Sequence, residues 1–148
     1  MENILHSQWS LYIHDLMSED WTINGYKKIL TIETIEDFHI LFNNLHKIVN
    51  NYYYFLMRDD YLPLWENNNG GAWSFRIPKD NTLKFFKDIS IYTIGETICE
   101  NPLNIIGITT SPKEKFNTIK IWTINSCGKF IYDKNRNIDF KVAQYKKW

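Results

Sequence analysis

The 148-residue sequence predicts an α+β fold, an antiparallel sheet with helices on one face. Three observations predict it. Several short segments alternate large apolar and polar side chains with a period of two, the signature of half-buried strands. One stretch, opened by Thr34-Ile35-Glu36-Asp37, changes to a period near 3.6 behind a capping-box pattern. Strand-like and helix-like segments segregate instead of alternating strictly, which argues against a parallel doubly wound sheet.

Residues 8–14 alternate and read as a strand, whereas 15–21 lose all periodicity and form a loop carrying Trp21. A second strand follows at 26–33. The helix opened by Thr34 places Ile35, Phe38, Leu41, Phe42, Leu45, Ile48 and Val49 on one face. Residues 52–57 are a β-rich aromatic run, and Asp59-Asp60 turns the chain into a loop, 62–73, which holds Trp65 and Glu66. After Gly70-Gly71, residues 72–77 alternate again and Pro78 closes the strand. Asn81 is placed to cap a second helix whose apolar positions are Leu83, Phe86, Ile89 and Tyr92 or Thr93, running to about Gly95. Two further strands, 105–110 and 119–124, flank a polar loop at 111–117, and one more strand falls near 140–144.

Composition narrows the function. Seventeen basic residues balance 17 acidic ones, so no long-range field favours a polyanion and any nucleic-acid contact should be local. No apolar run is long enough to span a bilayer, and the start has neither the basic nor the apolar region of a signal peptide, so a soluble, cytoplasmic, single-domain protein without a membrane contact is expected. Cys99 and Cys127 form no metal-ligand pattern and are read as reduced thiols. Heavy use of Ile, Asn, Lys and Tyr fits an AT-rich genome, such as that of a large DNA virus or a protist. Aromatic residues make up 16% of the chain, and its six Trp exceed what one core needs.

Catalysis finds little support. The four His have no HExxH spacing, and there is no GxSxG, Walker or GxGxxG motif, so no enzyme, metal or cofactor is expected. The residues instead describe a binding module. Trp65 followed directly by Glu66 offers a flat π surface beside a carboxylate able to accept two hydrogen bonds from a guanine edge. Taken alone, such a Trp is more often a half-buried packing residue and such a Glu solvated. Trp21, on its loop, is either a second stacking ring or a lid over the core. Lys113 and Lys115 point the same way in extended backbone and suit a short phosphate chain, although loop lysines are commonly just solvated. Two indoles could sandwich a base, and a positive charge on that base would add cation–π attraction, as in a methylated guanine.

The ordered series Trp9-x-x-Tyr12, Trp21, Thr34-Ile35-Glu36-Asp37-Phe38, Pro63-Leu64-Trp65-Glu66, Gly70-Gly71-x-Trp73, Ile94-Gly95-Glu96 and Ile119-x-Ile121-Trp122 resembles the mRNA cap-binding translation initiation factor 4E family. The resemblance implies a curved antiparallel sheet with helices on the convex face and a slot on the concave face for the 7-methylguanosine triphosphate of capped mRNA. It implies that Trp21 and Trp65 stack on the base, Glu66 reads its edge, Trp122 lies against the methyl group, and Lys113 and Lys115 bind the triphosphate. Trp9 and Trp73 are expected in the core. Thr118 occupies the position of a third phosphate-binding lysine. On the convex side Ile35, Asp88 and Ile91 match a surface for the initiation scaffold subunit or its peptide-motif repressors, but His39 replaces a Trp of that surface.

These features imply a monomeric, non-enzymatic cap-binding initiation factor. One rival is a protein that binds caps but sequesters or protects mRNA without recruiting the scaffold. Another is an aromatic-cage reader of methylated lysine, with Glu66 as counter-charge.

Overall fold

The computed structural model describes residues 3–48, 50–64, 70–131 and 142–148. Among them, seven strands form one sheet in the order β2-β1-β3-β5-β6-β4-β7, with every pairing antiparallel. The strands are β1 (Ile4–Asp15), β2 (Tyr26–Thr34), β3 (Tyr52–Arg58), β4 (Gly71–Ile77), β5 (Ile105–Pro112), β6 (Asn117–Thr123) and β7 (Gln144–Lys147). Helices α1 (Ile35–Asn44) and α2 (Thr82–Ile94) pack on one side.

The period-two alternation explains the two faces. Trp9 and Leu11 of β1, Tyr54 and Leu56 of β3, and Ile119 and Ile121 of β6 are fully or almost fully buried in the same cluster as Phe38, Leu41 and Phe42 of α1 and Phe86 and Ile89 of α2. Their strand neighbours Phe55, Met57 and Trp122 point the other way and form a smaller cluster with Tyr12, Tyr26, Tyr53 and Trp148. Breaks in register within β1–β2 and between Ile105 and Gly107 of β5 bend the sheet, as bulges do. At Gly107 a Cβ would lie 2.5 Å from Met57 Sδ, so a larger residue there would require the Met57 side chain to move.

Helix α1 starts as its sequence dictates. The Thr34 hydroxyl accepts from the Asp37 backbone N–H at 3.1 Å, and the Asp37 carboxylate accepts from the Thr34 N–H at 3.2 Å, closing the capping box. A further bond from the Glu33 N–H is the main reason the Asp37 carboxyl sits below its ordinary range. Ile35, expected on the apolar face, is instead 44% exposed at the first helical position.

Helix α2 departs from expectation at its start. Asn81 has helical backbone angles and makes no side-chain cap, because residues 79–81 already form a 3-10 turn after Pro78. The Thr82 hydroxyl donates to the Pro78 carbonyl at 3.1 Å instead. The last strand begins at Gln144 and pairs with β4, four residues later than the expected start; residues 140 and 141 lie outside those described, as does Val49.

A buried ion pair ties the two halves of the chain. The Arg58 guanidinium, 3% exposed, donates to both Glu96 carboxylate oxygens, to the Ile105 and Pro102 carbonyls and to Ser7 Oγ, and it stacks 4.6 Å from the Trp9 ring centre. Cys99 and Cys127 are buried, unbridged thiols.

Candidate cap-type slot on the concave face

The face opposite the helices holds a cavity of about 480 Å³. Tyr53 and Phe55 of β3, Thr109 of β5 and Lys120 and Trp122 of β6 line it from the sheet, while Trp21 and Pro63 line it from loops.

Trp21 owes its position to the loop expected at 15–21. Asp20 shapes that loop: its carboxylate accepts from the Thr22 backbone N–H and hydroxyl, and the hydroxyl bond is the first cause of its lowered pKa. His14, fully buried at the end of β1, holds the loop from inside. Its Nδ1 lies 2.8 Å from the Asp15 carbonyl oxygen and its Nε2 2.7 Å from that of Asp20. The imidazole then stacks on the Trp21 indole, ring centres 3.7 Å apart and planes within 4°. Tyr53 and Tyr26 meet the same indole edge-on at 5.2 and 6.1 Å. One indole face is therefore covered by a parallel ring, and the 45% exposure of Trp21 belongs to the rest of the ring, which borders the cavity.

Trp122 lines the same cavity from β6. Only 4% exposed, it donates from Nε1 to Thr109 Oγ1 at 3.3 Å, and Trp148 contacts it edge-on at 5.2 Å. Strand β7 carries Trp148 there, and the Trp148 N–H donates to the Gly70 carbonyl at 3.0 Å. A Cβ at Gly70 would lie 1.6 Å from the Thr123 carbonyl oxygen, so glycine is required where this segment crosses the end of β6.

The residues nominated from sequence separate into groups. Trp21, Trp122 and Lys113 line one cavity. Lys115 lies in the turn between β5 and β6 and does not line it. Trp65 and Glu66 lie outside the described residues, but Pro63, two residues before Trp65, borders the cavity. Trp9 is fully buried as expected, and Trp73 is partly buried against Phe130 and Tyr145. On the helix face, Ile35 and Ile91 are each more than two-fifths exposed, His39 is exposed, and Asp88 accepts from Lys84 Nζ at 3.3 Å.

Sequence reasoning passed over His14, Tyr26, Tyr53, Lys120 and Trp148. Each occupies a slot-facing position of its strand or follows one, so the parity of the alternation, counted from Trp122 or Phe55, was the signal that could have found them. Among the described residues no cluster of His, Cys, Asp and Glu is placed to hold a metal ion, and no helix is long and apolar enough to cross a membrane.

Comparison with known proteins agrees with this geometry. The eukaryotic translation initiation factor 4E of Dictyostelium discoideum is 31% identical over 133 residues, covering 80% of this chain and 51% of that protein. The Xenopus laevis factor is 28% identical over 130 residues, covering 80% and 61%. The chain thus spans about half to three-fifths of the length of these relatives. Among solved structures, Ascaris suum eIF4E-3 in complex with an m2,2,7G cap superposes with a TM-score of 0.73 at 26% identity, covering 85% of this chain and 76% of that one. C. elegans eIF4E-3 bound to the 4E-binding protein Mextli and a cap analog shares the fold, with a TM-score of 0.76 at 20% identity over the same shares. Residues 4–145 match the family described as Eukaryotic initiation factor 4E, and with that match over nearly its whole length the chain belongs to this family.

Proposed function

We propose that this protein binds the 7-methylguanosine 5′ cap of mRNA in the concave slot and acts as a translation initiation factor in the cytoplasm, without catalytic activity. The observation that carries the reading is the buttressed Trp21: one face is stacked on His14, and the ring borders a cavity that Trp122 also lines. A ring held this way is a preorganised stacking platform. In the proposed complex the methylated base lies between Trp21 and Trp65, Glu66 accepts the guanine N–H groups, and Trp122 meets the methyl group. Lys113 and Lys115 are assigned to the triphosphate.

Charge in the slot favours a cap over methylated lysine. Lys113 and Lys120 both line the cavity, and a cationic peptide side chain entering it would meet two ammonium groups, whereas a nucleotide brings its own anion. The Ascaris suum protein that shares this fold is itself described in complex with a cap.

On the convex side, the exposed Ile35 and Ile91 support docking of the helical motif of a scaffold subunit or repressor, on a surface that also includes His39 and Asp88. The alternative, a cap binder that withholds mRNA from the scaffold, rests on His39 at a position where a larger ring would supply more apolar contact.

Titration of tryptophan fluorescence with 7-methyl-GTP and with GTP tests the main reading. Quenching by the methylated nucleotide at least tenfold tighter than by GTP is expected. An equal response to both removes the charged-base sandwich. Micromolar or tighter capture of a scaffold-motif peptide would exclude the withholding version.

A further inference from the structure

Of the two lysines that the family resemblance assigns to the phosphates, Lys113 lines the slot and Lys115 does not. Thr118 stands at the expected position of a lysine, and its side chain lines a neighbouring cavity of about 350 Å³. Two residues further along β6, on the same face, is Lys120. It pairs in register with Thr109 of β5 and Ser74 of β4, and it lies one side-chain step, about 7 Å, from Trp122.

Three features make Lys120 an anion-seeking group. It lines the same cavity as Trp21 and Trp122. It is half-buried, yet among the described residues no carboxylate pairs with it. Its charged neighbours are also cations: Lys113 at the start of the β5–β6 turn and Lys146 of β7, which shares with Trp122 the register position across Ala72. Loss of water around the Lys120 ammonium, followed by repulsion from Lys113 and Lys146, lowers its pKa. A half-buried, unneutralised cation among like charges destabilises the empty protein, and an anion in the cavity removes that cost.

We propose that Lys120 is a polyphosphate-binding residue of this slot, replacing the lysine missing at position 118 and moving the phosphate site along the strand toward the base. The proposal rests on the cap reading above and deepens it. Because Lys120 is nearer Trp122 than position 118 is, it contacts the phosphates closest to the ribose, so its contribution is complete with a diphosphate. Lys113 and Lys146 flank it and hold the chain from either side.

The test compares 7-methylguanosine, 7-methyl-GDP and 7-methyl-GTP by fluorescence titration on the wild type, Lys120→Met, Lys120→Arg and, as a charge control on the other face, Lys87→Ala. The expected result for Lys120→Met is unchanged nucleoside affinity and about tenfold weaker binding of both the diphosphate and the triphosphate, a normal effect for a hydrogen bond between charged groups. Lys120→Arg should restore most of the loss, and Lys87→Ala should resemble the wild type. Equal weakening of all three ligands, or weakening of none, would overturn the assignment; weakening of the triphosphate alone would overturn its placement next to the ribose. A wild type that responds to no methylated ligand sinks the cap reading itself, a result distinct from these.

Discussion

The His14 imidazole lies flat beneath the Trp21 indole at 3.7 Å, so the ring that borders the slot is backed by a second one. The inner ring is fully buried and meets backbone carbonyls through both nitrogens, which ties the orientation of the outer ring to the end of β1.

Removing either ring should therefore be felt in different degrees. Trp21→Ala loses the stack on the base, about 1–3 kcal/mol, or roughly 5- to 150-fold in 7-methyl-GTP affinity. His14→Ala leaves Trp21 in place without its support and should cost about 0.5–1.5 kcal/mol, the usual worth of an aromatic pair. His14→Phe keeps the stack and should recover part of that loss. Isothermal titration calorimetry distinguishes them, and a His14→Ala protein with undiminished affinity would show that the buttress does not matter.

Lys120 carries a second prediction, on stability and pH. Folding lowers its pKa, so the folded state holds that proton less tightly than the unfolded chain does. Below the folded pKa the charged lysine costs stability, and the cost disappears as pH rises through the folded and then the unfolded value. Without ligand, Lys120→Met should melt above the wild type at neutral pH, with the difference shrinking under alkaline conditions. Thermal melts from pH 7 to about 10.5, the ordinary lysine range, check this.

The Arg58–Glu96 pair should matter for folding and not for recognition. Glu96→Ala leaves a 3% exposed guanidinium without its counter-charge and is expected to cost about 3–5 kcal/mol in urea denaturation. Well below the melting temperature, 7-methyl-GTP affinity should be unchanged, since neither residue lines the slot.

Thr34→Ala breaks the capping box of α1. A loss of about 1 kcal/mol is expected. The exposure of His39, Ile35 and the rest of that helix face makes peptide binding the more sensitive readout, because a frayed first turn disorders the surface on which a partner would rest.

What the sequence made legible was what depends on near neighbours. The alternation of 8–14 and 72–77 marks β1 and β4 because each strand has one face toward the helices and one toward the slot, and the β-rich aromatic run 52–57 marks β3 by composition. The start of α1 was legible because both partners of its capping box lie within four residues. The start of α2 misled, because Asn81 looks like a cap only when the turn after Pro78 is ignored. Strand β7 was placed early because its limits come from register with Ser74 and Gly71, seventy residues away in the chain, and not from a pattern of its own. His14 and Lys120 escaped for a related reason. In a list of alternating residues each is just a polar position, and only the sheet brings one under Trp21 and the other beside Lys146.

Strand β6 answers to two masters at once. Ile119 and Ile121 belong to the core while Lys120 and Trp122 line the slot, and they are consecutive. A single inserted residue between 117 and 119 that shifted the pairing would turn the isoleucines outward and drive an ammonium group into the hydrocarbon. Substitutions along this strand can thus change what the protein recognises, but its length cannot drift. Gains and losses of residues have only the hairpin tips in which to accumulate, so among descendants of this gene the spacing of β6 should outlast the identity of its side chains.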